Sequence, residues 1–350
     1  MDSFINFLNR QSPSGCETGA RNWLYHNTKK HKGIELTKDV NGNIYGIINK
    51  KNDKFKVMIE GHIDEIGGQI TNIDDNGFIF FHEVGGLDVK SLPSQRVLFL
   101  NGIEGVIGKK AIHLETDEEQ EQVLKIKDMY IDCGFKNKEE ALQYLEIGDW
   151  FTFKPNVALL QNSLICSKGI DDKVGAYIAF EVLKKLNENK KFKTYVCAAG
   201  TTQEEITSSG AITTAETIKP DVSITIDVNF ASDAPNDDKN QLGDISLGNG
   251  MIVSRNADTN PILYQILKEL PSLNYIPPFQ TTADTSASGG TNAVFIRVKN
   301  KGVATLNIGI PCRYMHTSGE VISFNDVQAT IDSLVCFIEH LRPDMSLIPE

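Results

Sequence analysis

The sequence predicts an α/β protein: a mixed, mostly parallel sheet sandwiched by helices, with a small β-rich domain inserted into it. Three observations point to that class. Short apolar runs alternate with helical patterns in both outer parts of the chain, the rhythm of a covered parallel sheet. Between about residues 69 and 163 the texture changes to brief alternating runs separated by turns. At 350 residues the chain also exceeds the usual size of a single core. The expected division is therefore 1–68 with 164–350 as one α/β domain and 69–163 as a barrel-like insertion.

Residues 2–11 carry Phe4, Ile5, Phe7 and Leu8 at helical spacing until Pro13-Ser14-Gly15 breaks the pattern, and a second helix is expected over 17–27. Residues 34–48 read as two strands about the turn Asn41-Gly42-Asn43. A buried strand follows at 56–59, with Glu60-Gly61-His62-Ile63-Asp64-Glu65 at its carboxyl end, where open α/β sheets place their ligands. In the insertion, 78–81, 97–100 and 105–108 are strand-like and 137–145 reads as a helix. The α/β rhythm then resumes with helix 172–187, strand 193–201, helix 209–218, strand 222–227, helix 260–270, strand 302–308 and a closing helix 324–341.

A net charge of -11 and the lack of any basic stripe argue against a nucleic-acid partner. No apolar run approaches bilayer length, and Met1-Asp2-Ser3 opens no basic-then-apolar leader, so a cytoplasmic protein without a membrane partner is expected. Six scattered cysteines without CxxC spacing read as buried free thiols.

The chemistry is concentrated at strand ends. Thr201-Thr202-Gln203-Glu204-Glu205 follows the apolar strand that ends at Gly200, and adjacent carboxylates with no Lys or Arg beside them are costly unless something cationic sits there. Ligands for a metal stand elsewhere: His62, with Asp64 on the same face of an extended segment; Asp171-Asp172 before a helix; Asp227 closing a strand; and His316. Each has a plain structural alternative. A strand-end histidine usually satisfies hydrogen bonds, either Asp of the pair is a favoured helix N-cap, and Asp227 suits a turn. Their joint placement favours a two-metal hydrolase in which one Asp of the pair caps and the other is free to bridge.

Taken in order, His62-x-Asp64-Glu65, Asp171-Asp172-Lys173-x-Gly175, Gln203-Glu204-Glu205, Asp227 and Arg313-Tyr314-x-His316 resemble the glutamyl or tetrahedral aminopeptidase family of dinuclear metallopeptidases, some of whose relatives are labelled endoglucanases. Pro13-Ser14-Gly15-Cys16-Glu17, Gly42-Asn43, Gly85-Gly86-Leu87-Asp88 and Gly309-Ile310-Pro311 extend the resemblance over nearly the whole chain. It implies a metal-dependent aminopeptidase that hydrolyses the amino-terminal peptide bond through a metal-bridging hydroxide, with two divalent cations per subunit, zinc foremost and cobalt or manganese also compatible. His62, Asp171 and Asp227 would hold one cation and Asp171, Glu205 and His316 the other; Glu204 would be the general base and Asp64 would support His62. The implied partners are peptides with a free amino terminus and further copies of the chain, from dimer to dodecamer, with the insertion as dimerisation module or lid.

Other readings share these residues. A deacylase or carboxypeptidase-type amidohydrolase would use the same metal pair, with Arg255 and Arg313 as candidates to bind a substrate carboxylate. A catalytically silent peptide-binding homologue is the third reading, and the intact ligand set argues against it. Glycoside chemistry by an acid pair leaves two histidines without a role. The chain departs from the family pattern at Gly61, Lys173, Ile206 to Gly210, Asn292 and Thr317-Ser318-Gly319-Glu320, positions that bear on specificity. The pocket for the amino-terminal residue falls to loops within 254–317.

Overall fold

A computed structural model describes residues 1–273, 275–283 and 290–349 of the chain. Its main sheet has eight strands: β1 (Glu35–Lys38), β2 (Ile44–Ile48), β3 (Lys56–His62), β4 (Tyr195–Thr201), β5 (Val222–Phe230), β6 (Ile252–Ser254), β7 (Gln280–Thr282) and β8 (Ala304–Cys312), in spatial order β1-β2-β4-β3-β5-β8-β6-β7. The four central strands β4, β3, β5 and β8 are parallel, and β2 and β6 flank them antiparallel. The sheet is covered by α1 (Asp2–Leu8), α2 (Thr18–Thr28), α3 (Ile170–Glu188), α4 (Ser209–Ile218), α5 (Pro261–Glu269), α6 (Ala293–Arg297) and α7 (Phe324–His340).

Two-residue periodicity decides which layer each side chain joins. Val57, Ile59, Val196, Ala198, Ile224 and Ile226 pack with α1, α2, α3, α5 and α7, whereas Met58, Tyr195, Cys197 and Ala199 pack with Ala211, Ala215 and Ile218 of α4 and Ile296 of α6. Burial on both faces is why these strands read as continuous apolar runs. Helix α3 is buried almost all round, so its sequence lacks a polar stripe. Asn260 starts α5 as its N-cap, its side-chain oxygen accepting the amides of Ile262 and Leu263, with Pro261 at the first helical position.

The strands Gly67–Ile73, Ile79–Val84, Arg96–Phe99, Glu104–Gly108, Tyr130–Asp132 and Trp150–Phe153 close a separate barrel around Ile70, Ile79, Phe81, Phe99, Ile131 and Phe151. The seams of the barrel differ in length: Ile79–Val84 meets Tyr130–Asp132 at the single pair Ile79 and Ile131. Beyond the barrel, Ala158–Leu159 and Leu164–Ser167 form a three-stranded sheet with Glu320–Ser323. The helix expected at 137–145 is a single turn, Lys138–Ala141, capped by Asn137. The short β6, β7 and α6 had no counterpart in the sequence reading. All six cysteines are free, but only Cys197 and Cys312 are buried; the other four are partly exposed. No described helix is long and apolar enough to cross a membrane.

Candidate active site

The carboxyl ends of β3, β4 and β8, the interior of β5 and the start of α3 converge on one cluster. His62 ends β3; Glu204 and Glu205 follow β4; Asp227 lies within β5, which runs on to Phe230 instead of ending there; His316 sits in the turn between β8 and Glu320–Ser323. Ligand atoms of His62, Asp171 and Asp227 lie within 4.8 Å of one another, and so do those of Asp171, Glu205 and His316. Asp171 is shared. Its Oδ1 is 3.1 Å from His62 Nε2, and its Oδ2 is 3.2 Å from His316 Nε2.

Asp172 points elsewhere. Its Oδ1 accepts the Gly175 amide, capping the regular part of α3, and its Oδ2 accepts the His62 amide at 3.1 Å. The two acids thus divide their work. Gly175 and Gly61 allow this close approach, since a Cβ on Gly61 would lie 2.3 Å from the Ala176 nitrogen. Asp64 serves three neighbours: it lies 3.3 Å from His62 Nδ1 and accepts the amides of Glu204 at 3.0 Å and Glu205 at 3.1 Å. The sequence reading linked Asp64 only to His62; its hold on the Glu pair depends on a contact between β3 and β4 that spacing does not reveal.

The donor chemistry fits cations. The outer nitrogen of His316, Nδ1, faces the Gly86 carbonyl at 2.8 Å, which can only accept, so Nδ1 carries a proton. Its Nε2 then faces the carboxylates of Asp171 and Glu205, at 3.2 and 3.6 Å. The same logic holds for His62, whose Nδ1 faces Asp64 while Nε2 faces Asp171, with Glu204 and Asp227 each at 3.9 Å. Inner nitrogens surrounded by carboxylate oxygens require either a second ring proton or a metal ion between them. Glu205 also buries an oxygen, Oε1, that has no hydrogen-bond partner among the described residues.

Without a cation the cluster is electrostatically uncomfortable. Burial, reinforced by Asp171, pushes the Glu205 carboxyl well above its ordinary range, and burial with Asp172 does the same to Asp227. Burial raises Glu204 to about 7, against the pull of His62. Hydrogen bonding to Asp171 raises His316 to about 10; for His62, burial pulls down but Asp171 and Asp64 outweigh it. In Asp171 the two histidines overcome burial and hold the carboxyl low.

Beside this cluster opens a cavity of about 730 Å³, lined by the acids, by His316 and Gly86, and by Ile206, Val228, Phe230, Leu242, Phe295 and Met315. No Lys or Arg lines it among the described residues. Of the two arginines considered for substrate binding, Arg313 is held by Asp233 at 2.6 and 2.8 Å, and Arg255 lies 4.9 Å over the ring of Tyr264. Neither reaches the lining. The loop region 254–317 does contribute to it, but residues 274 and 284–289 lie outside the described residues.

Sequence reasoning also missed Glu320 and the true setting of Glu65. Glu320 accepts the amides of Ile170, Asp171 and His316. Glu65 turns away from the cluster to bind the buried ammonium groups of Lys168 at 2.7 Å and Lys173 at 3.0 Å.

A covered, largely parallel sheet whose strand ends gather two histidines and four acids beside a cavity defines a metal-dependent hydrolase. Residues 42–332 match the family described as M42 glutamyl aminopeptidase. The chain belongs to this peptidase M42 family: it is a metal-dependent aminopeptidase, a hydrolase of peptide bonds. It is 33% identical over 304 residues to a putative aminopeptidase of Acetivibrio thermocellus, covering 86% of this chain and 87% of that one. Among solved structures, aminopeptidase APDkam598 from Desulfurococcus kamchatkensis is 31% identical with a TM-score of 0.89, covering 98% of this chain and 95% of that one. TET1 peptidase of Pyrococcus horikoshii, which can assemble into a tetrahedron or a large octahedral shell, is 25% identical with a TM-score of 0.85, covering 97% and 99%.

Proposed function

We propose that the chain releases amino-terminal residues from peptides using two divalent cations, one at His62, Asp171 and Asp227 and the other at Asp171, Glu205 and His316, with Glu204 as the general base. The observation that carries this reading is Asp171, which offers one oxygen to each histidine and so belongs to both groups. Bound there, such cations would polarise the scissile carbonyl and acidify a water. Glu204 takes the proton of the attacking water and returns it to the departing amine. Asp64 fixes where Glu204 stands by accepting its amide, and orients the His62 ring.

The cavity's acids and its lack of cationic side chains among the described residues suit a substrate with a free α-amine. A carboxypeptidase reading would need an arginine at the cavity, and Arg255 and Arg313 are both engaged elsewhere. Histidine and carboxylate donors suit zinc, with cobalt and manganese also compatible. Unpaired thiols throughout fit a reducing, cytoplasmic setting. Self-association, from dimer to dodecamer, is the expected state by analogy with TET1 peptidase. The contact would use exposed apolar side chains such as Leu142, Tyr144 and Ile147 on the barrel domain.

The deciding experiment offers aminoacyl chromogenic amides, free and amino-blocked, to metal-stripped protein reloaded separately with Zn, Co and Mn. Cleavage of free-amine amides that depends on reloading supports the proposal. Preference for blocked substrates, or activity indifferent to chelation, sinks it.

A further inference from the structure

The turn after β8 carries His316, and both Tyr314 and His316 adopt left-handed backbone, with φ of +61° at each. Side chains with a Cβ avoid that region, so the surroundings must hold the turn in place. The Glu320 carboxylate is what reaches it. From the first residue of Glu320–Ser323, its Oε1 accepts the His316 amide at 3.0 Å. Its Oε2 accepts two consecutive amides across the fold, Ile170 at 2.7 Å and Asp171 at 3.1 Å. The antiparallel pairing of Ser167 with Glu320 brings the two segments side by side, just before the left-handed Gly169 that opens α3.

One side chain, 1% exposed, thus joins the backbones of two of the three residues in the group Asp171, Glu205 and His316. The third, Glu205, has its amide on Asp64. No hydrogen bond joins Glu320 to His62 or Asp227; its only hold on the first group runs through Asp171 itself. We infer that Glu320 is a positioning residue that sets the distance between Asp171 and His316, and so governs uptake of the second cation selectively. The inference rests on the two-cation reading of the site.

The test is stepwise titration of metal-stripped protein with Zn and with Mn, alongside thermal melting of the metal-free protein and steady-state kinetics. Glu320→Gln keeps the volume but has one acceptor oxygen, and its NH2 must face an amide donor, so either His316 or the Ile170–Asp171 pair loses its acceptor. The weaker of the two binding steps should fall about 10- to 100-fold, with the other step and KM changed less than about threefold. At limiting metal kcat should fall in parallel with occupancy and recover as metal is raised. Glu320→Asp, which keeps the charge but is one methylene too short to span both segments, should show the same selective loss. Equal weakening of both steps, no weakening of either, or failure of both variants to melt cooperatively overturns the inference, since Glu320 would then act only in the fold or not at all. Wild-type protein that takes up no cation, or only one, would instead overturn the two-cation reading on which it rests.

Discussion

Asp64 Oδ1 accepts the backbone amide of Glu204 at 3.0 Å, so the residue beside the His62 ring also fixes the peptide from which the proposed general base projects. The two roles separate by mutation. Glu204→Gln keeps the shape and that amide bond but cannot take a proton, so kcat should fall by about 10²–10⁴ while both cations remain bound. Asp64→Asn leaves one acceptor oxygen for partners on three sides. A smaller loss of about 10–100-fold is expected, with weaker binding of the cation at His62. Stopped assays and metal analysis on the two variants check this, and near-normal turnover by Glu204→Gln would end its assignment as the base.

Cation binding should release protons. In the metal-free protein Asp171 raises His316 to about 10, so at pH 7 its ring holds a proton that a metal must displace, and burial raises the carboxyls of Glu205 and Asp227 in the same direction. The sign is fixed: apparent affinity rises as pH rises from 6 to 8. Calorimetric titrations in two buffers of different ionisation enthalpy should show protons leaving as the metal binds at pH 7. Buffer-independent heats would contradict the placement of the cations.

Much of this site was legible in the sequence because its candidate ligands follow apolar strands or precede a helix, and both patterns are local. His62, Asp171, Glu204, Glu205, Asp227 and His316 each stand beside such a run. Glu320 was not legible as a clamp, since its three partners come from two segments brought together only by strand pairing. The setting of Glu65 was hidden for the same reason: adjacent to Asp64 in sequence, it points to the other side of the extended segment and meets Lys168 and Lys173. In the fold, long covered strands and helices were read close to their observed spans. The short β6 and β7 lack a periodic signal of their own; β6 owes its conformation to pairing with β8, and β7 to pairing with β6.

The Glu65 cluster yields a stability prediction. Lys168 and Lys173 are both buried, and Glu65 is their shared carboxylate; burial would raise its pKa, but the two ammonium groups hold it low. Glu65→Gln would leave two buried cations facing an amide, with an expected loss of about 3–5 kcal/mol by denaturant unfolding. The double variant Glu65→Gln with Lys168→Met should lose less than the sum of its single changes. Additive losses would show that the three groups do not act as a unit.

Glu17 gives a pH prediction of opposite character. Burial, with a contribution from Asp64, raises its carboxyl from 4.5 to about 7 although it accepts the Gly15 amide. A raised acid favours the folded state while protonated, so its cost to stability begins as pH passes about 4.5 and is complete above about 7. Glu17→Gln can still accept that amide and has nothing to ionise. In metal-stripped protein the variant should therefore gain on wild type by on the order of 1–3 kcal/mol between pH 5 and pH 8. Parallel melting curves over that range would show that Glu17 is not buried as an acid.

The cavity wall sets the expected choice of amino-terminal residue. Ile206 and Phe230 remain 55% and 52% exposed beside Val228, Leu242, Phe295 and Met315, apolar surface that a bound side chain would cover. The four acids of the lining are the proposed metal ligands and base, leaving none among the described lining residues to pair with a lysyl ammonium, and no Lys or Arg there meets a glutamyl carboxylate. A charged side chain would give up water without a partner, while a leucyl or methionyl side chain gains about 1.5–3 kcal/mol on full burial. Leucyl and methionyl amides should accordingly exceed glutamyl and lysyl amides by at least about tenfold in kcat/KM, even though the family carries a glutamyl name. Phe230→Ala should erase most of that advantage by raising KM for the apolar substrates, with kcat for alanyl amide little changed. Equal rates on glutamyl and leucyl amides in wild-type protein would mean that the apolar wall does not receive the amino-terminal side chain.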